Sequence, residues 1–343
     1  MISYAEALDL FGSDDLIGIG MQADSVRRRL HPEGIVSYII DRNINYTNFC
    51  TEYCSFCAFY RPMGHPEGYV HPKEVIFAKI QETLDLGGTG VLMQGGLHPG
   101  LKIEWYEDLL SSIKQRFPIH LHCFSAPEIT NIAEVSGLSL RDTIARLRDA
   151  GLDSIPGGGA EILDDEVRHR ISRLKCSTQE WVDVHRTAHQ LGMRTTATMM
   201  FGCGETLEQR MNHLQIVRRI QEETGGFTAF IPWTFQRENT SLGRFVKEEA
   251  TAVEYLQTLA ISRIYLDNIE NVQSSWVTQG LKTCQLGLRF GGNDVGSIMI
   301  EENVVSAAGA HHRASEEELR RIIRDAGFVP KQRDTLYRTY FLN

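Results

Sequence analysis

Short β-prone runs and amphipathic helical stretches take turns along nearly the whole of this 343-residue chain, and that alternation leaves few folds open. Eight runs read as strands: 37–47, 91–93, 119–124, 153–155, 195–201, 227–235, 272–276 and 288–290. Most end at turn residues, as where Asp153-Ser154-Ile155 meets Pro156 and Leu288-Arg289-Phe290 meets Gly291. Helical patterns fall between them over 71–86, 105–116, 140–150, 178–191 and 206–224. The last two stop at Gly192 and Gly225, residues suited to the left-handed turn that ends a helix. Strand and helix repeating at this spacing imply parallel strands joined by right-handed crossovers. The fold class expected is therefore α/β, a TIM-type (β/α)8 barrel forming one domain. Residues 1–36 read as an N-terminal helical cap, 37–295 as the barrel and 296–343 as a C-terminal helical extension, with Glu316-Glu317-Glu318-Leu319 as a first helical turn.

In such a barrel the loops leaving the C-terminal strand ends converge on one mouth, where active sites sit. The unusual residues of this chain fall there. Cys50, Cys54 and Cys57 follow the first strand, glycines follow strands two, four, five and eight, and Ser125 follows the third. Three thiols spaced four and three residues apart can turn toward a common point and hold three irons of a cubane [4Fe-4S] cluster. The fourth iron stays open. An open iron chelates an amine and a carboxylate, which is how S-adenosylmethionine is held when a reduced cluster cleaves it. A zinc site is the alternative, but it takes four ligands, and the nearest extra candidate is His65 in a Gly/Pro-rich segment.

Cys123, Cys176, Cys203 and Cys284 are isolated and read as small buried apolar side chains. Seven cysteines, an odd number, with neither a signal-like N-terminus nor a long apolar run, suggest reduced thiols in the cytoplasm and no membrane partner. The formal charge of −9 argues against a nucleic-acid partner and leaves a small-molecule substrate.

The pattern Cys50-x-x-x-Cys54-x-Phe56-Cys57 resembles the signature of the radical S-adenosylmethionine (radical SAM) superfamily, which makes the barrel a radical SAM core. The resemblance implies that Phe56 lies near the adenine. Gln94-Gly95-Gly96-Leu97 stands where that superfamily usually has Gly-Gly-Glu, whose backbone meets the methionyl amine; both glycines are kept and Leu97 replaces the acid. Gly202-Cys203-Gly204-Glu205 resembles the adenine-side Gly-x-x-Glu motif, and reads equally as a helix start with Glu205 favouring the dipole.

Further stretches narrow the group. Ser154-Ile155-Pro156-Gly157-Gly158-Gly159-Ala160-Glu161 resembles the strand-four loop of the menaquinone-pathway radical enzymes and the F0 synthases. Glu161 there bonds a ribose hydroxyl or serves as a buried capping carboxylate. Residues 43–48 and 57–61 look like the same group, while Gly291-Gly292-Asn293-Asp294 and Met299-Ile300-Glu301-Glu302-Asn303-Val304 look most like its futalosine-cyclising branch.

The resemblance implies dehypoxanthine futalosine as substrate. A 5′-deoxyadenosyl radical would take hydrogen from C4′ of its ribose, and the carbon radical would close onto the aryl ring. The implied cofactors are a [4Fe-4S] cluster and S-adenosylmethionine, contacted by Phe56, Gly95, Gly96, Ser125, Glu161, Gly202 and Glu205. An electron donor such as flavodoxin or ferredoxin is implied as partner. Arg61, Arg237 and Arg289 lie near strand ends and are candidates for the substrate carboxylate. His98, Asp294 and Glu302 are candidates for the base that receives the last proton. Trp233, Phe235 and Trp276 either line an aromatic pocket or cap the barrel. Aminofutalosine synthase, an F0 synthase component and a zinc-stabilised barrel that binds ligand without catalysis are the competing readings.

Overall fold

Ser3 and Glu6 open the first helix by exchanging side-chain and backbone hydrogen bonds, a capping box that fixes where the chain starts to coil. In the computed structural model, which describes residues 2–341, this helix is α1 (Tyr4–Phe11), followed by α2 (Leu16–Leu30). The elements then run β1 (Ile35–Ile39), β2 (Asp41–Ile44), α3 (Lys73–Asp85), β3 (Gly90–Met93), α4 (Ile103–Arg116), β4 (His120–Cys123), α5 (Ala126–Ser136), α6 (Leu140–Ala150) and β5 (Ser154–Ile155). Next come α7 (Asp165–Ile171), α8 (Thr178–Gln190), β6 (Arg194–Phe201), α9 (Leu207–Thr224), β7 (Phe227–Thr234), α10 (Ala252–Tyr265), β8 (Asn271–Val272) and α11 (Gly280–Gly287). The chain closes with β9 (Asp294–Ser297), α12 (Val304–Ala307), α13 (Glu316–Asp325), β10 (Val329–Arg333) and β11 (Tyr340–Phe341).

Seven strands, β2 to β8, lie side by side in sequence order and all pair in parallel. β9 closes the ring. One edge meets β8 through a parallel bridge between Gln273 and Asp294, and the other pairs with β1, Ser37 opposite Asp294 and Ile39 opposite Ser297. Since β1 runs into β2 through Ile40, the eight-position barrel expected from the alternation is formed. No helix of the described residues is long and apolar enough to cross a membrane.

Three expectations need correction. The run 37–47 is two strands, because its lower half pairs with β9 and β10 while its upper half pairs with β3. The run 288–290 is no strand: the Gly287 carbonyl accepts from the Phe290 and Gly292 amides in a turn after α11, and β9 takes the eighth place. Three residues are too short a window for apolar alternation to separate strand from helix end. The C-terminal extension is also more than helices. α13 starts at the capping box of Ser315 and Glu318, on the acidic turn read from sequence, but β10 then pairs with β1 and β11 with β10.

Candidate active site at the barrel mouth

The long loop between β2 and α3 is shaped mainly by backbone carbonyls. The Cys50 amide donates to the Arg61 carbonyl at 3.1 Å and the Arg61 amide to the Asn48 carbonyl at 2.7 Å. The Arg61 guanidinium braces the turn after the cysteines, one nitrogen reaching the carbonyls of Ala58, Phe59 and Tyr60 at 3.0–3.2 Å while Nε meets Glu67. In this structure its guanidinium is engaged by the cysteine loop itself. Across the mouth, the Ser55 amide and hydroxyl both donate to the Ile171 carbonyl, and the Ser55 carbonyl accepts from the Leu242 amide.

This bracing leaves Cys50 and Cys54 8% and 7% exposed and Cys57 half-buried, all three free thiols. Burial pushes the Cys50 and Cys54 thiols up, so their thiolates need compensating positive charge, which iron ions supply. Cys57 also opens on a surface recess of about 630 Å³ shared with Tyr60, Arg237 and Arg244. Arg237 itself is engaged with the Lys247 and Gly243 carbonyls. Among the described residues no group of three or more His, Cys, Asp or Glu is placed to hold a single metal ion. A cubane takes each thiolate on a different iron and spreads its ligands more widely.

Opposite the cysteines stands the glycine turn after β3. A Cβ on Gly96 would lie 2.2 Å from the Phe49 carbonyl and 2.8 Å from Cys50 Cβ, so only glycine lets the turn approach the cysteine loop this closely. Both glycine amides are already bonded, Gly95 to Glu128 and Gly96 to the Thr47 carbonyl. The carbonyls are what the turn presents. Glu128 also accepts from Tyr46 Oη and from the Ser125 amide and hydroxyl, all at 2.6–2.8 Å. One buried carboxylate thus joins the ends of three strands, although burial raises its pKa against the pull of these donors. Leu97 points into the interior, and its carbonyl accepts from the Thr51 amide.

The triple-glycine loop follows β5. Gly157 is wedged against β6, where a Cβ would sit 2.6 Å from the Thr196 carbonyl. Glu161, at the loop's end, adopts φ +41°, a conformation that costs a residue with a side chain about 1 kcal/mol or more and tends to mark functional positions. Its Oε1 meets Lys175 Nζ at 2.9 Å, while its buried Oε2 has no hydrogen-bond partner and lies 4.0 Å from the Arg168 guanidinium. Burial works against the Lys175 charge, but Glu161 more than offsets this and holds the ammonium above its ordinary value. The same ammonium lies 5.1 Å from the Phe56 ring centroid, tying the cysteine loop to this one.

Glu205 is used differently. Its carboxylate accepts from the Gly202 and Cys203 amides and from Arg210, which also meets Glu254. It closes its own loop.

Below the mouth lies a cavity of about 320 Å³, lined among others by Asn43, Gln94, His122, Gly158, Glu161 and Arg333. Asn43 Oδ1 is buried there without a partner, a second open acceptor beside Glu161. Trp233 lines it as well, whereas Phe235 and Trp276 pack into the core. Glu302 also lines it, but its oxygens cap the amides of Val304, Val305 and Ser306. Asp294 is fully buried and bound by Arg333 in two places, by Ser37 and by the Gly296 amide, which leaves no oxygen for a base. His98 accepts from the Gly100 amide outside the cavity, and burial lowers its pKa. Arg289 reaches the Ala326 carbonyl and stacks on Phe328, away from the mouth.

The two cofactors fit what is present: three free thiols on one loop, a carbonyl-lined turn opposite, and a buried carboxylate with one oxygen free of hydrogen bonds near an aromatic ring. Sequence reading passed over Glu128, Lys175, Asn43 and Arg333. Asn43 stands in the 43–48 stretch and Glu128 closes a Ser125-x-x-Glu128 capping box that the sequence displays, whereas Lys175 and Arg333 stand in no motif and are joined to the site only by folding.

Residues 44–217 match the radical SAM superfamily and residues 224–342 the CofH/MqnC C-terminal region. A cyclic dehypoxanthine futalosine synthase of Halalkalibacterium halodurans is 52% identical over 98% of this chain and 90% of its own length. A 5-amino-6-(D-ribitylamino)uracil–L-tyrosine 4-hydroxyphenyl transferase of Methanothermobacter thermautotrophicus is 43% identical over 98% of this chain and 94% of its own. Among solved structures, methylornithine synthase (PylB) matches with a TM-score of 0.73 at 18% identity, over 96% of this chain and 94% of that one, a likeness of fold alone.

Proposed function

This chain belongs to the radical SAM superfamily, with the C-terminal region of its CofH/MqnC branch, and from that premise we propose that it converts dehypoxanthine futalosine to cyclic dehypoxanthine futalosine in menaquinone biosynthesis. The observation that carries this reading is the near full-length likeness to the cyclase relative. When bound, the [4Fe-4S] cluster and S-adenosylmethionine supply the 5′-deoxyadenosyl radical that removes the C4′ hydrogen of the substrate ribose.

The chain's own residues bind and orient. Cys50, Cys54 and Cys57 hold the cluster, on a loop kept rigid by Arg61 and by the carbonyl contacts around Ser55. The Gly95 and Gly96 carbonyls accept from the methionyl amine, and Glu128 holds that turn in place together with Ser125. Phe56 flanks the adenine. Glu161 would use the oxygen that carries no hydrogen bond on a ribose hydroxyl, with Lys175 fixing the carboxylate through the other. Gly202 and Glu205 border the adenine side as a loop closed by Arg210. Asn43 and Gln94 offer the substrate polar contacts inside the cavity, whose walls exclude water from a carbon radical. Flavodoxin or ferredoxin is the class of electron donor this reading calls for.

Anaerobic incubation of reconstituted protein with S-adenosylmethionine, reductant and dehypoxanthine futalosine tests it, and free 5′-deoxyadenosine with a cyclised product is expected. An adenosyl adduct would point to aminofutalosine synthase instead. The transferase likeness supports a second reading, in which tyrosine and a ribitylaminouracil are the substrates. A tyrosine-dependent product would select it. Neither product nor 5′-deoxyadenosine would sink both.

A further inference from the structure

Beneath the mouth, β4 and β5 carry a file of hydrogen-bonded side chains that no role above uses. The pleat of β4 buries Leu121 and Cys123 among the helices and turns His120 and His122 the other way. His122 lines the cavity, in the same barrel layer as Asn43, since Asn43 pairs with Leu92, Leu92 with His122 and His122 with Ser154. Its Nδ1 lies 2.7 Å from Ser154 Oγ, and His120 Nε2 lies 2.7 Å from the same oxygen. His120 is half-buried, at the floor where the chain after β10 covers the barrel. Lys114 of α4, Asp153, Asp334 and Arg338 face His120, and Arg333 and His185 face His122.

A hydroxyl between two imidazoles can donate to one while it accepts from the other. We infer that His122, Ser154 and His120 form a proton relay that carries the proton released when the substrate's aryl ring recovers its aromaticity from the cavity to solvent at the barrel floor. The inference rests on the proposed cyclisation. His122 Nε2 accepts the ring proton, and its Nδ1 proton passes to Ser154 Oγ as the serine's own proton passes to His120 Nε2. His120 Nδ1 then releases a proton to water. The C–H bonding pair stays on the ring, and the ring's surplus electron returns to the cofactor that supplied one at the start. Burial lowers both imidazoles, His122 to about 3, so each passes a proton on rather than keeping it. His98, Asp294 and Glu302, the bases expected from sequence, lie outside the cavity or have their oxygens bonded.

S154A removes the middle link and keeps both imidazoles. In the reconstituted enzyme, cyclised product per 5′-deoxyadenosine should fall about tenfold or more while S-adenosylmethionine affinity holds. H120Q should lower the same ratio, and added free imidazole should restore it, a rescue that a structural role would not give. Should S154A fail to fold, the H120Q rescue and the wild-type ratio in deuterium oxide, expected to drop, carry the test. A wild-type ratio in H120Q, with no effect of deuterium oxide, overturns the relay. Wild-type enzyme that makes no cyclised product overturns the functional reading first and takes the relay with it.

Discussion

The floor and the mouth of this barrel each centre on a buried carboxylate, with opposite outcomes. Near the floor Asp294 has both oxygens bonded, to Arg333, Ser37 and a backbone amide, and no capacity is left over. At the mouth Glu161 meets Lys175 through one oxygen, leaves the other without a hydrogen bond at 4.0 Å from Arg168, and sits at positive φ. A closed network of this kind builds a wall. An open one, held in an unfavourable backbone conformation, is where a ligand completes the bonding.

The comparison can be broken most decisively at the cysteines. Replacing any one of Cys50, Cys54 or Cys57 by Ala should abolish 5′-deoxyadenosine formation; full turnover in such a variant would remove that residue from the cluster. Next in size is D294N, which removes the carboxylate that Arg333 meets through two nitrogens in the buried interior and should cost about 3–5 kcal/mol in urea unfolding. E161Q should weaken S-adenosylmethionine binding about ten- to a hundredfold, as the loss of a charged hydrogen bond would, and should also cost stability, because the buried Lys175 ammonium loses its carboxylate. If E161Q leaves S-adenosylmethionine binding unchanged, or D294N weakens it as much, the contrast between wall and ligand site fails.

A pH experiment sharpens the contrast at Asp41, which lines the cavity and whose pKa burial raises from 3.8 to about 6. Since the folded state holds this proton more tightly, the stability it contributes is complete below about pH 3.8 and lost as pH rises through 6. D41N should therefore raise the melting temperature at pH 7 by about 2 °C or more and lose that advantage toward pH 4. The smallest effect belongs to R289A. The side chain holds a tail carbonyl and a ring face, so about 1 kcal/mol or less of stability should be lost, and turnover kept.

The barrel was legible because strand and helix periods repeat, and the cysteines because three thiols within eight residues have few other uses. The rest was not, for reasons that lie in packing. Arg61 and Arg289 have the charge a substrate carboxylate needs, but nothing in the sequence says that neighbouring carbonyls will claim them. Leu97 stands in place of an acid, and nothing in that stretch says that the Gly95 amide will find a carboxylate in Glu128, thirty-three residues along. Asp294 sits in a motif whose likeness pointed to chemistry, while its folded environment gives it an architectural task.

The break at Ile40 also has a consequence for how the molecule is made. Because the lower half of the first strand finds its neighbours in β9 and β10, the barrel is sewn shut by residues from opposite ends of the chain. Pairings this distant in sequence are slow to form, so the central strands can assemble early while the cavity still lacks its floor. A cluster inserted at that stage would sit over an open tube. Maturation of the metal centre is therefore safest as the last event, after β10 has docked.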